Sequence, residues 1–203
     1  MSKKPIIVFE GIEGSGKSHH IKNVAKYFKK NNIKFIQIRE PGGSKNSEKI
    51  RKLILNNNST FNKQTDLLLY LSSRSENVQL IKNNIGKKII LIDRFSDSTI
   101  AYQHYGMGLN LKFIENINDY LLKNISIDFT FLNIVNQNNM KQRLLKRKNL
   151  NRYDKFNSKF YEKVQNGFIK ILKKNPKKYI RINSNLHIDL NENIILNKIK
   201  DLI

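Results

Sequence analysis

Eight consecutive residues, Gly11-Ile12-Glu13-Gly14-Ser15-Gly16-Lys17-Ser18, follow the pattern G-x-x-x-x-G-K-[ST], and that pattern has a specific chemical use. Glycines let backbone amides wrap closely around phosphate oxygens, and the helix that follows offers them the positive end of its dipole. Lys17 is long enough to reach the β- and γ-phosphates of a nucleoside triphosphate, and the Ser18 hydroxyl is a ligand for Mg²⁺. The bland alternative is a glycine-rich turn with no ligand. Against it, the pattern follows an apolar strand-like run and opens a helical one, the context it requires.

A second group of chemistry-bearing residues is Asp93-Arg94-Phe95-Ser96-Asp97-Ser98-Thr99-Ile100-Ala101-Tyr102-Gln103. Asp93 ends the most apolar strand of the chain, on the sheet edge where ligands sit in open α/β folds. A carboxylate there can hold the shell of a Mg²⁺ ion, partly through water. Taken alone, Asp93-Arg94 could equally be a structural ion pair at a strand end.

Alternating strands and helices must position these groups. Pro5 to Glu10 is a short continuous apolar run, as expected of a parallel strand covered on both faces. Ile21, Val24, Ala25 and Phe28 then recur with the period of a helix that buries one stripe. Further strands are expected at Lys34–Arg39, Lys88–Ile92, Asp128–Val135 and Lys178–Ile182, with Lys88–Ile92 central. Helices are expected around Ile50–Ile54, over Gln64–Ile85 with Leu67, Leu68, Leu71, Val78 and Ile81 on one side, and over Lys112–Lys123, Asn138–Lys148, Phe160–Leu172 and Leu190–Leu202. Gly86 is the stop signal of the long helix. This alternation predicts a parallel sheet covered on both faces. No linker, repeat or composition shift divides the chain, and the spread of Asn reads as a bias.

The bulk numbers narrow the class. A chain of 203 residues with 39% hydrophobic and 27% charged content can bury one sizeable core. No apolar run approaches the ~18 residues a bilayer span needs. Met1-Ser2-Lys3-Lys4-Pro5 leads straight into a strand and leaves no room for a signal peptide. The absence of Cys fits a reducing cytosol and excludes disulfides and thiolate metal sites. The formal charge of +22 would attract polyanions, but the lysines are scattered and no basic stripe is interleaved with aromatics, so no specific nucleic-acid partner is expected.

The spacing from Asp93 to Gln103 resembles the signature of thymidylate kinases, D-R-[FYH]-x-x-S-x-x-A-[FY]-Q, at each defined position. The likeness extends over nearly the whole chain, through Arg39-Glu40-Pro41-Gly42-Gly43, Arg51, the pair Tyr70 and Arg74, the arginine-rich segment around Arg147 and Arg152, and the Phe160–Phe168 helix. It implies a P-loop NTPase fold of the α/β class, with about five parallel strands, over residues 1–203 and with a lid at about 143–155. It implies transfer of the γ-phosphoryl of ATP to dTMP with Mg²⁺, in a cytoplasmic homodimer. ATP would lie on Gly11 to Ser18, with Ser18 and Asp93 toward the metal. Glu40, Arg51, Tyr70, Arg74, Arg94, Ser98, Thr99, Tyr102 and Gln103 would form the dTMP site. Within it the resemblance places Arg51 and Arg94 on the phosphate, Tyr70 against the thymine ring and Arg74 at its carbonyl edge. Lys17, Arg94, Arg147 and Arg152 would be the catalytic cations, the last two on the lid. The phosphate-binding loop has no Arg of its own, the pattern in which the lid supplies it.

Each assignment has a plainer alternative. Tyr70 lies on a Leu-rich helix and could be core, and Arg51 and Arg74 could be solvated helix faces. Departures from the family pattern are His19 after Ser18, Asn133 where an Asp is common, and Lys163 and Gln165 in place of two frequent arginines. His19 and His20 read as tolerated helix residues. Two other functions use the same motifs. A deoxynucleoside kinase would employ Glu40 as the base for a 5′-hydroxyl, and a nucleic-acid-stimulated ATPase would employ the +22 charge.

Overall fold

A computed structural model describes residues 4–203; the expectation about Met1-Ser2-Lys3 lies outside the described residues. Five strands, β1 (Ile6–Gly11), β2 (Phe35–Arg39), β3 (Ile89–Asp93), β4 (Phe129–Ile134) and β5 (Tyr179–Asn183), form one sheet in the order β2-β3-β1-β4-β5. Every pairing is parallel, so each connection crosses over the sheet and carries helix, as parallel strands demand. The strand expected to be central, β3, is interior and paired on both sides, but the middle position belongs to β1. Apolar content reports burial on both faces, and β1 and β3 are equally covered there.

The helices are α1 (Lys17–Lys30), α2 (Lys45–Leu55), α3 (Lys63–Asn84), α4 (Ser96–Thr99), α5 (Leu111–Leu121), α6 (Gln137–Leu145), α7 (Ser158–Lys174) and α8 (Ile188–Leu202). A π-helical segment, Ile100–Gly106, continues α4, and a 3₁₀ turn spans Arg152–Lys155. Some of the Asn excess has a structural use: Asn62, Asn110, Asn136 and Asn157 cap α3, α5, α6 and α7, each accepting from a backbone amide of the first turn. Such a cap is worth ~1 kcal/mol over Ala.

Period-two alternation divides the core. Ile7, Phe9, Ile89 and Leu91 meet Ile21, Val24 and Phe28 of α1 and Ile195 and Ile199 of α8 on one face. Ile6, Val8, Ile90 and Ile92 meet Ile81 of α3 on the other. The long helix departs from a simple apolar stripe. Leu68 is exposed, whereas Asp66, Ser73, Arg74 and Asn77 are buried beside Leu67, Leu71 and Ile81. That buried polar surface marks the part of α3 that turns toward the site.

Candidate functional site

Where β1, β2 and β3 end, at Gly11, Arg39 and Asp93, a cleft of about 220 Å³ opens. Its walls bring together most of the residues singled out from sequence. Glu13, Lys17 and Ser18 come from the glycine loop and α1, and Asp93, Arg94, Ser98, Thr99, Tyr102 and Gln103 from the segment after β3. Glu40, Arg51, Tyr70 and Arg74 close it from β2 to α3, and Arg147 from the segment after α6. Gly11, Ile12, Gly14, Ser15 and Gly16 supply loop backbone, and Arg152 does not reach the cleft wall.

The loop is shaped around its lysine. Gly11 has φ +139° and lies beside Asn133 of β4. A Cβ there would stand 2.4 Å from the Asn133 carbonyl oxygen, so only glycine fits this exit from the strand. Lys17 folds back and donates to the carbonyls of Gly11 and Ile12, both at 2.8 Å. Burial, and then repulsion from Arg94, pull its pKa down to about 7. An anion beside the ammonium would oppose both effects and raise it again. Ser18 Oγ donates to Asp93 Oδ2 at 3.4 Å, which sets a hydroxyl and a carboxylate side by side at the mouth of the loop.

Arg94 faces the same carbonyl from the other side. Its Nη1 donates to Gly11 O at 2.8 Å and its Nη2 to Glu13 Oε1 at 2.8 Å. The guanidinium lies 5.1 Å from the centre of the Tyr102 ring. Tyr102 in turn donates its hydroxyl to Glu13 Oε2 at 2.5 Å. Arg94 has φ +65°, a left-handed conformation that costs a non-glycine residue about 1–2 kcal/mol. Arg51 projects from α2 and donates to Pro41 O at 2.6 Å. Lys17, Arg94 and Arg51 therefore line one cleft, with the lysine and Arg94 sharing a carbonyl.

Deeper in, Arg74 is 1% exposed. It pairs with Glu40 at 2.7 Å and donates to Asn118 Oδ1 at 2.7 Å and to Thr99 Oγ1 at 2.9 Å. Glu40 also accepts weakly from Asn77 at 3.4 Å. Burial raises the Glu40 carboxyl above its usual range, with Arg74 opposing. A general base needs a carboxylate free to meet a hydroxyl, and this one is engaged by Arg74. Gln103 is 1% exposed and lines the cleft, and its amide nitrogen has no hydrogen-bond partner among the described residues. It offers a donor to a polar ligand edge. Tyr70 lines the cleft with its ring edge-on to Tyr153, centroids 5.7 Å apart.

The two arginines of the expected lid part company. Arg147 donates to Asp154 at 2.5 Å while remaining 41% exposed at the cleft. Arg152 is held by Asp66 of α3 and by the Ile54 carbonyl, and Tyr153 donates to the same Asp66 at 2.9 Å. A residue missed from sequence is Arg143, which reads there as one more cation in a basic stretch. It donates to Gly14 O at 3.0 Å and to Ser184 O at 2.6 Å, tying the glycine loop to the end of β5. Beside it lies a second hollow of about 500 Å³, lined by Arg143, Lys146, Leu186, His187 and Ile188 among others.

The family model described as thymidylate kinase matches residues 9–195. The chain belongs to the thymidylate kinase family. It is 41% identical over 170 residues to a thymidylate kinase of Thermosipho africanus (strain TCF52B), covering 82% of this chain and 84% of that one. It is 37% identical over 179 residues to that of Clostridium novyi (strain NT), covering 85% and 87%. A crystal structure of thymidylate kinase from Ehrlichia chaffeensis superimposes with a TM-score of 0.78 at 30% identity, over 98% of this chain and 99% of that one. The parallel sheet and glycine loop are thus the P-loop NTPase fold expected from the motifs.

Three departures from the family pattern find local explanations. Asn133 donates to Ser184 Oγ at 3.3 Å inside the sheet, though its side-chain Oδ1 has no hydrogen-bond partner among the described residues. Gln165 makes two bonds of 3.0 Å to the backbone of Val135 and closes the end of β4. His19 meets Glu192 of α8 at 2.6 Å, a partner invisible in the local sequence. Nothing in the structure explains Lys163.

Proposed function

We propose that this chain transfers the γ-phosphoryl of ATP to dTMP, giving dTDP and ADP. The observation that carries this reading is the single cleft in which Lys17 of the glycine loop and Arg94 share the Gly11 carbonyl, with Arg51 opposite and a polar pocket behind. Two polyanions brought in line need positioning and neutralisation more than covalent help. In this reading the loop amides and Lys17 hold the ATP phosphates, and Arg94 and Arg51 grip the acceptor phosphate through the planar fork that suits it. Tyr70, Arg74, Ser98, Thr99, Tyr102, Glu40 and Gln103 shape the nucleoside site. The acceptor oxygen is already ionised at neutral pH, since a phosphate monoester loses its second proton near about pH 6. No general base is required, and Glu40 is left to its structural pairing.

Ser18 and Asp93 form an all-oxygen pair suited to Mg²⁺, a hard cation that keeps several waters and takes few protein ligands. Among the described residues there is no cluster of three or more metal-ligating side chains, which agrees with a metal held mainly by the nucleotide. When bound, Mg²⁺ supplies charge neutralisation between the β- and γ-phosphates. Arg147, at the cleft, is the better placed of the two lid arginines to meet the transferred group. Arg152 has first to leave Asp66.

The working unit in this reading is a homodimer in the cytoplasm, which family membership supports. Among the described residues no helix is long and apolar enough to cross a membrane. A panel of nucleoside monophosphates and of thymidine, each with ATP and Mg²⁺, tests the activity. dTMP should be turned over, and dUMP should follow at a cost of ~1–3 kcal/mol for one missing methyl group. Turnover of thymidine alone would refute the assignment.

A further inference from the structure

Arg94 owes its direction to a residue outside the cleft. Its backbone is in the left-handed region at φ +65°, and the amides on both sides of its Cα are tied to β1. The Arg94 amide donates to Phe9 O at 3.0 Å, and the Phe95 amide donates to Glu10 Oε1 at 2.8 Å. The same carboxylate accepts from the Ser98 amide at 3.2 Å and from Ser98 Oγ at 2.5 Å. Phe95 gives α4 no side-chain cap, so Glu10 satisfies the Phe95 amide, a donor otherwise orphaned in a buried turn, and adds a second acceptor to the Ser98 amide, which also donates to Phe95 O at 3.1 Å. Glu10 is fully buried and precedes Gly11, whose carbonyl receives Arg94 Nη1. One strand end thus fixes both the backbone and the head group of this arginine.

We propose that Glu10 is a positioning residue for phosphoryl transfer, clamping the Arg94 turn so that the guanidinium faces the acceptor phosphate. This rests on the function proposed above. The clamp needs acceptors and one contact to a hydroxyl, not a charge. Gln meets that need, with its oxygen on the two amides and its nitrogen on Ser98 Oγ. Burial, joined by the Asp97 carboxylate, pushes the Glu10 carboxyl up to about 8, so a neutral side chain is already accommodated there. Leu fills the space and offers no acceptor.

A double-mutant cycle with Arg94→Ala tests the coupling. Glu10→Leu should lower kcat/KM for dTMP about 100-fold, the cost of a misplaced catalytic group, and leave the affinity for a non-hydrolysable ATP analogue within about threefold. Glu10→Gln should restore turnover to within about threefold of wild type. In the Arg94→Ala background Glu10→Leu should cost almost nothing more. An equal loss in both backgrounds, or a parallel loss of analogue binding, would assign Glu10 a general structural role and overturn the inference. Should the leucine variant fail to fold, Glu10→Asp, one methylene short of the turn, carries the same cycle. The clamp is also read without turnover, as hydrogen-exchange protection of the Phe95 amide. The leucine variant should lose that protection and the glutamine variant keep it. Unchanged protection in Glu10→Leu refutes the clamp, whereas an inactive wild-type protein refutes only the proposed function.

Discussion

Replacing Arg74 by Met keeps the bulk of the side chain and removes its charge, so the loss can be worked from its partners. Arg74 and Glu40 are 1% and 4% exposed at their side chains and 2.7 Å apart. Removing one member of a buried pair strands the other and typically costs about 3–5 kcal/mol. Asn118 Oδ1 and Thr99 Oγ1 lose the same donor. For a domain of this size each kcal/mol lowers Tm by about 2–4 °C, so a fall of roughly 6–20 °C follows. The loss should also depend on pH, and the sign is fixed. Burial already raises the Glu40 carboxyl in the fold, with Arg74 as the opposing influence. Without Arg74 the folded-state pKa rises further. Over the widened window above the unfolded carboxylate range, the folded variant binds a proton that the unfolded chain does not. Its stability then falls as pH rises, by up to ~1.4 kcal/mol per unit. Urea denaturation of both proteins at about pH 5 and about pH 8 measures this, and the deficit should be larger at the higher pH. A deficit under about 1 kcal/mol, or one equal at both values, would show that the pair does not hold α3 to β2.

Arg94→Ala should lower kcat/KM for dTMP by about 10²–10³-fold, the usual loss for one charge-stabilising donor, while the protein stays folded with Glu13 still held by the Tyr102 hydroxyl; steady-state kinetics with dTMP and a melting curve check both. Lys17→Ala should abolish phosphoryl transfer to dTMP while the far-ultraviolet circular dichroism stays that of the wild type, and retention of the wild-type rate would reduce the glycine loop to a turn. Asp66→Ala releases Arg152 and Tyr153 together, so limited proteolysis should cut within residues 147–157 several-fold faster, the behaviour of a locally loosened segment.

The sequence disclosed most clearly what depends on local spacing. Strand runs, the glycine loop and the Asp93–Gln103 signature each lie within a dozen residues, and the sheet follows from their alternation. The long helix was harder to read, because Asp66, Ser73, Arg74 and Asn77 are buried where a simple apolar stripe would expose them. Their partners, Glu40, Asn118 and Arg152, lie in other elements. The π-helical segment at Ile100–Gly106 has no side-chain period of its own to betray it. That Arg147 and not Arg152 lines the cleft turns on Asp66, 86 residues before Arg152. Local pattern cannot report a contact of that range.

These long-range partners also settle what the +22 charge does. Around the cleft, Arg94 pairs with Glu13, Arg74 with Glu40, Arg147 with Asp154 and Arg152 with Asp66. Lys17 and Arg51 donate instead to backbone carbonyls, so the cleft keeps a local positive excess of its own, and the scattered lysines add a diffuse one over the surface. Surface charge at that distance is screened over ~8–10 Å at ordinary ionic strength and acts on encounter, not on the bound state. In the function proposed above, grip on the acceptor phosphate belongs instead to Arg94, held by Glu13, and to Arg51, held by the Pro41 carbonyl, until a phosphate competes for the same guanidinium. A surface lysine, free and hydrated, has no such preset geometry. On that reading attraction and recognition are carried by different residues, and the bulk charge that dominates the composition says little about the chemistry at the cleft.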